Sequence, residues 1–124
     1  MTSKLFDYSP APESRAIVDI RASYGLFING EFVNSIDGEP FKTVNPASEE
    51  VLAEVSSAGK ADVDCAVTAA RTAFTQTWSR MPGRERAKYL FRIARIIQER
   101  ARELAVLESL DNGKPIKESR DVDL

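Results

Sequence analysis

The chain has 124 residues, 43% of them apolar and 29% charged, and carries a net charge of −2 with a pI near 5.2. That composition suits one domain with a real core, or part of one, and the mild acidity argues against broad attraction to nucleic acid or to an anionic membrane. Its apolar runs fall far short of the roughly 20 residues that cross a bilayer, and MTSKLFDYSPAPESR has no apolar core for secretion, so a cytoplasmic protein without a membrane anchor is expected.

Met1 to Ser23 reads as an amino-terminal arm. Pro10 and Pro12 deny it regular structure and predict a mobile start, whereas Ala16, Ile17, Val18 and Ile20 are enough to dock one short segment. From Tyr24 to Phe41 the residues favour strands: Leu26-Phe27-Ile28, a turn at Asn29-Gly30, then Phe32-Val33, and a second turn around Asp37-Gly38. Asn-Gly between apolar runs predicts a hairpin, because both residues tolerate positive φ. Phe41 to Asn45 gives a further strand that Pro46 ends, and Val51 to Val55 gives another after the turn-like Ala47-Ser48-Glu49-Glu50. A small sheet is expected at the front of the molecule.

Lys60 to Gln76 follows as an amphipathic helix with Val63, Ala66, Val67, Ala70 and Phe74 on one face and Asp62 and Asp64 near its positive end. Trp78 and Pro82-Gly83 link it to a longer helix, in which Pro82 is predicted as the first residue. Arg84 to Leu110 contains no Gly or Pro, and Ala87, Leu90, Ala94, Ile97, Ala101, Leu104 and Leu107 recur at steps of three and four. Unbroken, that helix would be about 40 Å long, which argues for a break near Arg100. Asp111-Asn112-Gly113 stops it, and Lys114 places a cation near its negative end. Pro115 opens a new helical segment with a weak face of Ile116, Ser119 and Val122, and no stop signal precedes Leu124, so the chain is expected to end inside an element.

Absences narrow the chemistry. With no histidine there is no Ser-His or Cys-His pair, no His base and no His-containing metal site. None of the six glycines falls into G-x-G-x-x-G or a P-loop. The single cysteine, Cys65, cannot form an internal disulfide, and with Asp62 and Asp64 beside it the surroundings disfavour a reactive thiolate, so it reads as a helix residue without a catalytic role. The basic run Arg84, Arg86, Lys88, Arg92, Arg95, Arg100 and Arg102 is interleaved with Glu85, Glu99 and Glu103. It therefore reads as a solvated or subunit-facing surface in preference to a phosphate-binding stripe.

Three strings stand in one order: LFINGEFV at Leu26 to Val33, FKTVNPASEEVLAEV at Phe41 to Val55, and LESLDNGKP at Leu107 to Pro115, with ADVDCAVTAARTAF and Trp78 between them. Together they closely resemble the amino-terminal portion of the NAD(P)-dependent aldehyde dehydrogenase superfamily, over about Tyr24 to Leu124. The resemblance implies an α/β fold, the start of a Rossmann-type cofactor domain spanning 24–124, in which a small β-hairpin and sheet precede the helices and the domain is cut short. It also implies two helices within Arg84 to Leu110. Complete members of the family oxidise an aldehyde through a thiohemiacetal on cysteine, pass hydride to NAD or NADP, hydrolyse the thioester, and assemble as homo-oligomers. Their catalytic cysteine, glutamate and asparagine, and the groups that meet the dinucleotide, belong to motifs that do not occur in this sequence. No catalytic or cofactor-binding residue is therefore assigned here.

The resemblance implies one site within the chain. A monovalent cation, Na+ or K+, would lie beside the cofactor domain, held by the main-chain carbonyls of Thr43 and Val44 and by Asp111. The competing reading of Asp111 is a helix-terminal acid whose unfavourable dipole interaction is relieved by a donor such as Lys114. Two functional classes follow: a piece of an aldehyde oxidoreductase, inactive by itself, or a truncated paralogue that binds full-length subunits through sheet edges and apolar helix faces.

Overall fold

The computed structural model describes residues 15–123, and the expected mobility and irregularity of the first residues fall outside them. The architecture is α/β. Five short strands are followed by helices, and they form two separate sheets instead of one.

β2 (Leu26–Ile28) and β3 (Glu31–Val33) form the hairpin, pairing Leu26 with Val33, Phe27 with Phe32 and Ile28 with Glu31. Asn29 and Gly30 take φ of 55° and 87°, the left-handed pair that a type I′ turn requires. Phe27 and Phe32 stand directly opposite with ring centroids 5.0 Å apart, a cross-strand pair of the kind that pins hairpin register.

The second sheet has three strands. β4 (Phe41–Val44) runs antiparallel to β5 (Val51–Val55), and β1 (Ser23–Tyr24) pairs parallel on the other side of β5. β1 is too short to leave a periodic signal, so the sequence alone assigns Ser23 to the arm. Upstream of it, a single 3-10 turn at Arg15–Ile17 packs against the third helix.

α1 (Lys60–Gln76) begins after Gly59, as its pattern predicts. α2 (Gly83–Glu99) begins one residue later than expected. Pro82, at ψ 145°, is still extended, and its carbonyl accepts the first bonds from the Glu85 and Arg86 amides. The long helical stretch breaks at Arg100, whose φ of −107° and ψ of 12° leave the helical region before α3 (Ala101–Asn112) resumes. Asp111 and Asn112 stay inside α3, and the left-handed stop is Gly113 alone, at φ 76°. Pro115 is likewise extended, and the helical turn α4 begins after it (Ile116–Glu118), running on as a π turn through Ser119–Asp123.

Among the described residues the buried apolar ones are Ala53, Ala105 and Val106, where α3 meets the three-stranded sheet; Asn45 and Ser119 are buried polar residues, and Asp62 is buried separately, at the start of α1. Ser119 is fully enclosed, its Oγ 3.3 Å from that of Ser109. Of the weak face read from the sequence, Ser119 faces inward and Val122 is 77% exposed, because the π turn shifts the angular spacing between them. No described helix is long and apolar enough to cross a membrane.

Candidate functional site

The two motifs furthest apart in sequence meet in space. Asn45 ends β4 and organises the loop to β5: its amide donates to the Glu50 carbonyl at 2.9 Å, its carbonyl accepts from the Glu49 amide at 2.8 Å, and its side-chain Oδ1 accepts from the Ala47 amide at 2.9 Å. This Asx geometry turns the chain at Pro46 and carries Glu49 to a φ of 60°. Gly113, at the end of α3, lies so close to Pro46 that a Cβ on it would sit 2.8 Å from the proline Cγ. The L-D-N-G-K stop and the N-P turn are thus in van der Waals contact.

Near that contact two of the three candidate ligands, Thr43 and Asp111, meet, while Val44 only follows Thr43 along β4. The Thr43 hydroxyl donates a hydrogen bond to the Asp111 carboxylate across 68 positions of sequence. Between Thr43 and Val44 the β4–β5 register shifts: Thr43 pairs with Ala53 but Val44 pairs with Val51. An irregularity of this kind interrupts the regular ladder of backbone bonds at these two residues. Thr43 and Asp111 also border one cleft of about 360 Å³, which Ile20, Tyr24, Leu104 and Glu108 help to line. Lys114, the alternative partner, has its ammonium 3.9 Å from Glu108 Oε1, one turn before Asp111.

Cys65 is exposed at a cleft with Ile28, Asn29, Asp64 and Thr68, on α1, whereas Asp111 belongs to α3. The acids beside it in sequence are committed elsewhere. Asp64 pairs with Lys60 at 2.5 Å, and Asp62 points into the loop after the hairpin. There its carboxylate accepts from Ser35 Oγ at 2.7 Å, the Ile36 amide at 3.1 Å and the Gly59 amide at 2.9 Å. These bonds, led by the one from Ser35, hold the Asp62 carboxyl below the usual aspartate value. Asp62 therefore clasps the hairpin to the start of α1. Sequence reading placed it only as a favourable charge at a helix end, although its position three residues after Gly59 is that of the acid in a capping box.

The basic run on α2 and α3 is largely self-compensated. Arg84 and Lys88 approach Glu85 at 3.6 and 2.9 Å, Arg95 pairs with Glu99 at 3.0 Å, and Arg100 pairs with Glu103 at 2.5 Å. Such exposed pairs contribute little to stability, but they do occupy cations that a phosphate stripe would need.

The model of the aldehyde dehydrogenase family matches residues 32–124. Aldehyde dehydrogenase 1 of Tanacetum cinerariifolium is 52% identical over 99 residues, which make up 79% of this chain and 20% of that protein. A Saccharomyces cerevisiae relative named aldehyde dehydrogenase NAD(P)+ 2 is 42% identical over 107 residues, covering 86% of this chain and 21% of its own length. Among solved structures, the NAD+ complex of aldehyde dehydrogenase from Bacillus cereus superposes with a TM-score of 0.79 at 45% identity, over 93% of this chain and 23% of that one. The chain thus spans about a fifth of the length of the curated relatives it matches.

Proposed function

Because this chain belongs to the aldehyde dehydrogenase family, we propose that it forms the opening part of a subunit that oxidises an aldehyde to a carboxylic acid with NAD or NADP, in a cytoplasmic homo-oligomer. The observation that carries this reading is the family match over residues 32–124. When bound, the dinucleotide supplies the hydride acceptor. No glycine-rich phosphate loop occurs in this sequence, so we assign the dinucleotide's contacts, and the catalytic groups, to parts of the subunit outside it.

The part we assign to this chain is a cation corner. Asp111, with the carbonyl oxygens of Thr43 and Val44, would hold Na+ or K+. What supports this is the donor chemistry: a hard cation prefers oxygen ligands, the register shift at Thr43 and Val44 interrupts the ladder those carbonyls would otherwise serve, and the carboxylate is already drawn to Thr43. A cation there ties the three-stranded sheet to the end of α3 and offsets the repulsion between Asp111 and the negative helix terminus. The test is the thermal stability of a complete subunit containing this sequence, measured against K+ at constant ionic strength, in wild type and Asp111→Asn. We expect the substitution to abolish the K+ response. A response that survives unchanged makes Asp111 a helix-terminal acid bonded to Thr43 and nothing more.

The second reading, a non-catalytic chain that binds other subunits, is favoured by one observation, the apolar face that α2 leaves open.

A further inference from the structure

Two Asn-Gly dipeptides occur in the chain, Asn29-Gly30 and Asn112-Gly113. A glycine after an asparagine has no side chain to shield its own nitrogen, which can then attack the asparagine side chain. Both asparagines are exposed, so exposure does not separate them. Their bonding does. Asn112 is the last residue of α3, and its Oδ1 accepts from the Lys114 amide at 2.9 Å. The nitrogen that would attack it, that of Gly113, donates to the Ser109 carbonyl at 3.1 Å, and Pro46 packs against the same glycine. Asn29 stands instead at the tip of the β2–β3 hairpin. The outermost ladder pair is Ile28 with Glu31, which leaves the Gly30 amide outside the ladder, and beyond its chain neighbours nothing lies within 4 Å of where a Cβ on Gly30 would be. The Asn29 side chain is bonded to none of the described residues. The hairpin is also a two-stranded sheet of its own, the least self-supporting kind of sheet.

We propose that Asn29 is a site of deamidation in the folded chain, and that Asn112, in the same dipeptide, is protected by the cap of α3. The Gly30 nitrogen attacks Asn29 Cγ and a C–N bond forms. The Gly30 proton passes to solvent, and the side-chain nitrogen departs with its hydrogens as ammonia. Water then opens the resulting succinimide at one of its two carbonyls, leaving aspartate or isoaspartate at position 29. One water enters and one ammonia leaves, with no oxidant or reductant. Ring closure requires the backbone to leave the turn geometry of φ 55° and 87°, so the reaction runs from local openings of the hairpin tip, which need far less free energy than opening a packed helix end. The isoaspartyl product adds a methylene to the main chain. A two-residue turn then no longer fits, and Phe27 and Phe32 lose their opposed register.

The experiment ages the 124-residue chain in mildly alkaline buffer, with and without urea, and follows both dipeptides by peptide mass spectrometry. Replacement of NH2 by OH marks conversion, and electron-transfer fragmentation separates isoaspartyl from aspartyl product. In urea the two rates report only the local sequence around each pair. On going from urea to buffer, the ratio of conversion at Asn29 to that at Asn112 should rise about tenfold or more, because the helix cap survives openings that free the hairpin tip. Asn29→Gln should remove the conversion assigned to the tip and leave that at Asn112 unchanged. Hydrogen exchange at the Phe27 to Val33 amides should be faster in the isoaspartyl chain than in the unaged one. A ratio that folding leaves unchanged or lowers would overturn the proposal, as would an Asn29 that stays intact in buffer over the time in which urea converts it.

Discussion

Asp62 and Gly113 show how single residues join distant parts of this chain. The Asp62 carboxylate is held by Ser35, Gly59 and Ile36, and its pKa is lowered by those bonds against a smaller opposing effect of burial. A folded-state pKa below the unfolded one means that the carboxylate contributes stability above the unfolded value, and that this contribution fades as pH falls through the folded value. Asp62→Asn should therefore melt several degrees below wild type near neutral pH, and the gap should narrow as the pH drops below about 4. Parallel melts of the two chains over that range check it, and a gap independent of pH would mean that shape, not charge, does the holding. At Gly113 the backbone has φ 76° and Pro46 occupies the space a side chain would need. Gly113→Ala should cost about 1–2 kcal/mol for the left-handed backbone alone, and more where the new methyl presses on Pro46. Denaturant unfolding of the variant measures the loss.

At the level of elements, what could be read in the sequence was whatever has a period or a turn signature. The β2–β3 hairpin, α1 and the break near Arg100 follow from local pattern, because Asn-Gly, apolar spacing and helix length are each decided within a few residues. β1 was not legible, since a two-residue strand acquires its identity only by pairing with Glu54 and Val55. The outward turn of Val122 was hidden for the same kind of reason: a π turn changes angular spacing without changing composition. Of the cation corner, the residue names came from resemblance. The meeting of Pro46 with Gly113 and of Thr43 with Asp111 depends on packing between segments more than sixty positions apart, which no local rule reaches. The hairpin gives an element-scale test. Gly30→Val places a β-branched residue at φ 87°, which should destabilise the turn by about 1–2 kcal/mol or more. Hydrogen exchange at the Phe27 to Val33 amides should then accelerate while α3 amides hold their rates, because the hairpin forms a sheet of its own.

For the molecule as a whole, the balance between what is built and what is left open decides its chemistry. The core is confined to the junction of α3 with the sheet, and α1 and α2 turn Val63, Val67, Phe74, Leu90 and Ile93 to solvent. The polar groups that have been brought together, at Asp62 and at Asp111, hold elements to one another, and neither arrangement pairs a nucleophile with a base. Cys65 lies in an open cleft lined by Ile28, Asn29, Asp64, Thr68, Ala69 and Thr72, none of them a lysine, arginine or histidine. The 124-residue chain should accordingly give no aldehyde-dependent reduction of NAD or NADP, at any concentration at which its circular dichroism shows it folded. The measurement is reduced-nicotinamide fluorescence with a panel of aldehydes, with Cys65→Ser alongside. Turnover by the wild-type chain that disappears in Cys65→Ser would make that thiol a nucleophile, and would require a cationic neighbour and a dinucleotide site that the present packing of α1 against the hairpin does not provide.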